Sequence, residues 1–187
     1  MVRAVLLLCL SALFTWHACA QSWCPPGATW TYGTDAFGLF GYQQYSYVGD
    51  TVIGGLNGQR ITGQGAMSYF GQSQVDYWTD TLGFVTALDG DVIVIWYADQ
   101  QDWDTLFWLG ASPGDGWLRR NGPYGSCDPR DSIVVIDTST VIVDGLALRQ
   151  WEAEQRWTGG TTGTLLFTER IGWDCSSEPS PACLIID

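Results

Sequence analysis

The chain has 187 residues and a net charge of −12, and all eight of its basic residues are arginine. That length suits one domain with a full core, and that charge repels phosphate backbones and anionic membranes, so nucleic acid is not expected as a partner. The single histidine, His17, lies in a segment that reads as a targeting peptide. The rest of the chain therefore lacks Ser-His-Asp, Cys-His and histidine-zinc chemistry, and without lysine it lacks Schiff bases and a P-loop lysine. Carboxylate, tyrosine or metal-carboxylate chemistry is what remains.

Residues 1–20 read as a signal peptide. Arg3 supplies the positive start, Ala4 to Phe14 an apolar run too short to span a bilayer, and Ala18-Cys19-Ala20 a cleavage site before Gln21. Acylation of Cys19 is the rival reading, but Trp16 stands where a lipobox has a leucine-like residue. No other run approaches the ~20 apolar residues of a membrane span. Cleavage removes Arg3, His17 and two of the six cysteines, and leaves residues 21–187 as a single β domain in a secreted, periplasmic or cell-envelope setting.

From there the chain alternates with period two. Tyr45 and Tyr47 alternate with Gln44 and Ser46, and Val75 and Tyr77 with Gln74 and Asp76. The run from Val92 to Tyr97 is apolar on both faces and is expected to lie centrally, covered on each side. Later, Trp151, Ala153, Gln155 and Trp157 share one face, with Glu152, Glu154 and Arg156 on the other. Breaks are expected at Gly33–Gly41, Gly54-Gly55, Gly63–Gly65, Asp89-Gly90, Pro113–Gly116, Asn121–Gly125, Asp144-Gly145 and Gly159–Gly163. No long stretch carries a helical period. The expected fold is all-β, an antiparallel meander closing into a barrel-like or sandwich domain.

An internal echo divides this domain. Pro26-Gly27-Ala28-Thr29-Trp30 resembles Pro113-Gly114-Asp115-Gly116-Trp117, and Thr51-Val52-Ile53-Gly54-Gly55-Leu56 resembles Thr140 to Leu146. Half-repeats of about 26–110 and 113–172 are expected, followed by a tail, 173–187. Asp144-Gly145 and Gly54-Gly55 both suit a two-residue type I′ hairpin turn.

Trp30-Thr31-Tyr32, Tyr47 to Ile53, Asp104 to Phe107, Pro113 to Trp117, Val135 to Thr138 and Glu169 to Gly172, with a late Cys183-Leu184-Ile185-Ile186-Asp187, resemble the N-terminal modules of exported Bacteroidota proteins. Such proteins usually continue into a C-terminal domain read by the type IX secretion system. The chain stops where that domain would begin, which leaves surface attachment open. The resemblance implies an address and a fold and carries no catalytic residues.

Four cysteines outside the leader allow three disulfide connectivities. Cys175 and Cys183 bracket a short Ser/Pro/Glu loop and are the easiest pair to close, which leaves Cys24 with Cys127. A four-cysteine metal site is disfavoured because no C-x-x-C spacing exists. Asp89, Asp91, Asp99, Asp102 and Asp104 could offer oxygen ligands to calcium, but they lack the spacing of a calcium loop, and aspartates are ordinary hairpin-end residues. Glu152 and Glu154 stand roughly 6.5–7 Å apart on one strand face. That spacing is compatible with paired-acid catalysis, although outward charge on a half-exposed strand explains it more simply.

Eleven tryptophans are the most unusual feature. Trp96 and Trp117 sit in apolar strand contexts and are expected in the core, while Trp103, between Asp102 and Asp104, and Trp108 are the candidate ligand-binding rings. No catalytic residue, metal site or cofactor is assigned. The leading expectation is a non-enzymatic binding or structural module. Its rivals are a carboxylate-based polysaccharide hydrolase and a barrel carrying a small apolar ligand, so the partners in view are a glycan or an apolar small molecule.

Overall fold

The computed structural model describes residues 23–36, 38–71, 73–120, 131–156, 160 and 162–174. The leader, Cys127, Trp157, Cys175 and Cys183 lie outside the described residues, as do the expected break at 121–125 and most of the tail. Cys24 is 3% exposed and its thiol is free.

Eleven strands and their turns make up the described chain, with no helix. They are β1 (Thr29–Ala36), β2 (Leu39–Ile53), β3 (Leu56–Tyr69), β4 (Asp76–Asp89), β5 (Val92–Tyr97), β6 (Asp102–Trp108), β7 (Gly116–Arg119), β8 (Asp131–Val143), β9 (Leu146–Arg156), β10 (Thr162–Thr168) and β11 (Gly172–Asp174). Strands β1 to β6 form one antiparallel meander, and β7 to β11 a second in the order β11-β10-β9-β8-β7. The all-β antiparallel meander is therefore what the chain forms, as two sheets and not as a closed barrel. No helix of the described residues is long and apolar enough to cross a membrane.

The alternation of the strands explains how the sheets pack. Ile93, Ile95 and Phe107 of the first sheet face Ile133, Val135, Trp151 and Phe167 of the second in one buried cluster. At its centre Phe167 stacks on Trp151 at 4.4 Å and on Phe107 at 4.5 Å between ring centroids. Trp23 continues the row against Phe107 and Trp30, and satisfies its indole N–H by donating to Thr86 Oγ1 at 3.0 Å. Side chains bind the edges where no ladder does. Trp30 Nε1 donates to the Arg170 carbonyl at 2.8 Å and the Tyr32 hydroxyl to the Ile171 carbonyl at 2.6 Å. On the other side the chain itself crosses between sheets, and Arg149 and Trp151 both donate to the Ala111 carbonyl there.

Several expected breaks prove to be strand. Gly33 lies within β1, Gly63 and Gly65 within β3, and Gly163 within β10. The pair in β3 has a packing reason. A Cβ at Gly63 would meet the Tyr45 ring at 2.9 Å, and one at Gly65 the Trp78 indole nitrogen at 2.5 Å, so the glycines let inner-face rings lie against the strand backbone. The run from Val92 to Tyr97 is covered on both faces, but β5 is second from the edge of its sheet and not central. Its inner residues enter the core. Its outer Trp96 packs edge-on against Trp103 beneath the β2–β3 hairpin tip.

The two sheets reuse the same devices in the same order. Residues 54-55 and 144-145 each make a two-residue hairpin, with Ile53 opposite Leu56 and Val143 opposite Leu146. All four turn residues have positive φ, the type I′ geometry that matches the twist of the flanking strands. Upstream, β2 is bulged between Tyr47 and Gly49 and β8 between Val135 and Asp137. The backbone N–H of Tyr47 donates to Ala28, and that of Val135 to Asp115.

These turns predict an asymmetry. At Gly145 a Cβ meets nothing within 4 Å, so Gly145→Val carries only the backbone strain of positive φ, about 1–3 kcal/mol. At Gly54 a Cβ would also meet Trp103 Nε1 at 2.5 Å and Trp96 at 2.6 Å, so Gly54→Val costs more. Asp144→Asn is close to neutral, because Asn tolerates this region. Urea unfolding of the three variants checks the order; equal costs at 54 and 145 would show that the tip does not rest on the tryptophan pair.

Candidate functional site

The most distinctive surface is the outer face of β1 to β4. On β2 the side chains of Gln43 and Tyr45 turn inward, 5% and 4% exposed, and the Tyr45 hydroxyl donates to Gln43 Oε1 at 2.8 Å. Tyr45 then packs on Trp78, Phe84 and Tyr32. Period two therefore sends Phe40, Tyr42, Gln44 and Ser46 outward. Strand pairing aligns these residues in rows across the sheet. One row is Thr31, Gln44, Gln64, Thr79; the next is Gly33, Tyr42, Ala66, Tyr77.

The two rows differ in chemistry. In the first, Gln64 Nε2 donates to Gln44 Oε1 at 2.8 Å, and Gln44 Nε2 to Thr31 Oγ1 at 3.2 Å. In the second, Tyr42 and Tyr77 are 42% and 78% exposed on either side of the small Ala66. Phe40 and Phe70, their ring centroids 6.3 Å apart, border this row. Neither row holds a charged side chain, in a chain with twenty acidic residues. Isolated exposed aromatics are ordinary, whereas several aligned on one sheet face make that face the candidate contact surface.

The second polar feature is internal. Arg119, Asp131 and Gln155 are 1%, 1% and 0% exposed, and Gln155 Nε2 donates to Asp131 Oδ2 at 2.7 Å. Arg120 pairs with Asp104 at 3.5 Å and Asp102 at 3.6 Å, its backbone N–H donates to Asp104 Oδ2 at 2.9 Å, and its guanidinium lies 5.1 Å over the Tyr97 ring. Burial lowers Arg119 to about 10 against the opposing pull of Asp131, and burial, with Asp104 nearby, raises the Tyr97 phenol to about 12. Each carboxylate here is held by an arginine or an amide, an arrangement that fixes the ends of β6, β7, β8 and β9 and offers no free base.

The expected site residues fall elsewhere. Trp103 and Trp108 occupy opposite ends of β6 and do not share surroundings. Trp103 lies half-buried against Trp96 under Gly54, and Trp108 packs on the core and donates to Asp91 Oδ2 at 3.1 Å. Trp117 packs against the core, whereas Trp96 belongs to the outer-face pair. Glu152 is exposed on β9 and Glu154 contacts Arg156. Among the described residues no three His, Cys, Asp or Glu side chains gather as metal ligands. The sequence signal for the outer-face rows is the alternation of Gln44 and Ser46, which extends back without interruption to Tyr42 and Phe40.

No family model matches the chain, and neither a curated protein nor a solved structure matches it.

The buried titratable groups predict alkaline lability. Burial, with the Asp50 charge, raises the Cys24 thiol from 9.0 to about 12, and the Tyr97 and Tyr32 phenols are also raised by burial. For each, the folded pKa exceeds the unfolded one, so the stability it supports is whole below pH 9 and is lost as pH climbs towards 12. Arg119 has the opposite sign: its depressed folded value adds stability above about pH 10. Four raised acids, Tyr47 among them, against one base give a net loss, with Cys24 acting alone between pH 9 and 10. With reductant present, the urea midpoint should fall between pH 8 and 9.5, and Cys24→Ala should flatten that step; a flat wild-type profile would contradict it.

Proposed function

We propose that the protein is a non-enzymatic binding module of the cell exterior or envelope, and that it holds an uncharged polysaccharide on the outer face of β1 to β4. The carrying observation is that face itself: exposed rings at Phe40, Tyr42, Phe70 and Tyr77 beside an amide and hydroxyl row, with no charge in either row. Aromatic rings stack on the C–H faces of sugars, and amides and hydroxyls exchange hydrogen bonds with sugar hydroxyls. The leader-like residues 1–20 and the resemblance to exported Bacteroidota modules support the location and belong to the same proposal.

The rival readings have less support. A paired-acid hydrolase needs two carboxylates free to share a substrate, and Asp104 and Glu154 are both engaged by arginines. A carrier of apolar ligands needs room between the sheets, and the stack of Trp151, Phe167, Phe107 and Trp23 occupies the centre of that space.

Pull-down on insoluble neutral polysaccharides tests the reading. The wild-type protein is retained, and the double variant Tyr42→Ala/Tyr77→Ala loses at least about tenfold in retention with an unchanged thermal midpoint. Ile136→Ser, at the exposed bulge of β8 in the other sheet, should bind like wild type. Retention that survives the double variant would sink the proposal.

A further inference from the structure

We infer that the occupant of this face is an extended, neutral β-1,4-linked glycan lying across the strands along the row Gly33, Tyr42, Ala66, Tyr77. This rests on the binding-module reading above and adds the linkage and direction of the ligand.

The spacing of the strands that carry the two tyrosines supports the inference. Tyr42 on β2 and Tyr77 on β4 both pair with Ala66 of the intervening β3. Two interstrand steps place their backbones about 9.5 Å apart. A β-1,4 chain is a flat ribbon whose successive sugars flip by half a turn, so the same sugar face returns at every second unit. That repeat is close to two interstrand steps, so alternate sugars can present the same face to both rings. Chains linked α-1,4 coil and β-1,3 chains curve, and neither keeps two like faces in one plane at this interval. Ala66 between the rings and Gly33 beyond Tyr42 keep the row low between its stacking points.

The neighbouring row fixes the ribbon's edge. Gln44 and Gln64 lie two residues along the strands from Tyr42 and Ala66, about 6.8 Å away, and run in the same direction across the sheet. Their side chains are already aligned by the bonds from Gln64 to Gln44 and from Gln44 to Thr31. Each amide keeps one N–H and at least one acceptor lone pair for the equatorial hydroxyls along the ribbon's edge. That prior alignment reduces the ordering cost of binding. The lack of charge in both rows, with a net charge of −12 over the chain, selects neutral glycans over uronates and sulfated chains.

Calorimetric titration of the full chain with hexasaccharides linked β-1,4, β-1,3 and α-1,4, and with a β-1,4 disaccharide, tests this. The β-1,4 hexasaccharide should bind at least about tenfold more tightly than the other linkages and than the disaccharide, which is too short to reach both rings. Tyr42→Ala and Tyr77→Ala should each weaken it about tenfold, and Tyr77→Phe should retain it, at unchanged thermal midpoints. Equal affinity for the α-1,4 chain, or indifference to Tyr77→Ala, overturns the inference. If another neutral glycan binds through Tyr42 and Tyr77, the linkage is wrong and the binding-module reading stands; if no neutral glycan depends on them, both fall.

Discussion

Phe167 lies flat between Trp151, beside it in the second sheet, and Phe107, across from it in the first. That three-ring stack makes two separate meanders one core. Neither sheet shares a backbone ladder with the other, so their relative position depends on what the inner faces bury and on a few side-chain bonds at the seams. A fully buried aromatic side chain contributes on the order of 1.5–3 kcal/mol, and rings stacked on both faces lose more when a neighbour is cut back. The indole N–H groups at the rim of the stack are used as fasteners: Trp23 to Thr86, Trp30 to Arg170, Trp151 to Ala111. At these three rings the partner removes the cost of an unpaired buried N–H, which would offset part of the gain from burying the ring.

The buried ions hold a different part of the sandwich. Arg119 and Asp131 stand opposite each other on β7 and β8. Breaking one partner of such a pair strands a charge in the interior, which is far costlier than the pair's net contribution. The pair thus fixes register more than it adds stability. In the first sheet the same inner position is occupied by neutral groups, Tyr32 opposite Gln43, and there the hairpin continues for four further residue pairs.

How much of this could be read from the sequence depended on whether one face of a strand differed from the other. On β9 the alternation of Trp151, Ala153 and Gln155 with Glu152, Glu154 and Arg156 is unambiguous, and the structure follows it. On β2 both faces carry tyrosine and glutamine, so composition alone does not separate inside from outside, and the outward set of Phe40, Tyr42 and Gln44 was hidden. Glycine misled in β3 because it serves two ends: residues 54-55 turn the chain, whereas Gly63 and Gly65 remain extended and make room for rings. Trp103, flanked by aspartates, had the look of an exposed ring, yet a hairpin tip distant in sequence curls over it. Local pattern carries no information about such a contact.

The two sheets share a frame, and the proposed site lies where they diverge. Strands β1, β2 and β3 repeat β7, β8 and β9 in pairing order, in bulge and in turn type. In the first sheet the frame is lengthened at the end away from the hairpin turn, where β1 and β2 pair on to Ala36 and Leu39, while β4 flanks β3 as β10 flanks β9 in the second sheet. The added length carries Phe40 and Tyr42. None of its outward side chains is needed for the core, which Tyr45, Trp78 and Phe84 already fill from the inner face. Folding constrains the inner face of these strands and leaves the outer face free to vary. Two outward rows that are nonetheless aligned and free of charge, in so acidic a chain, are what the proposed contact surface rests on.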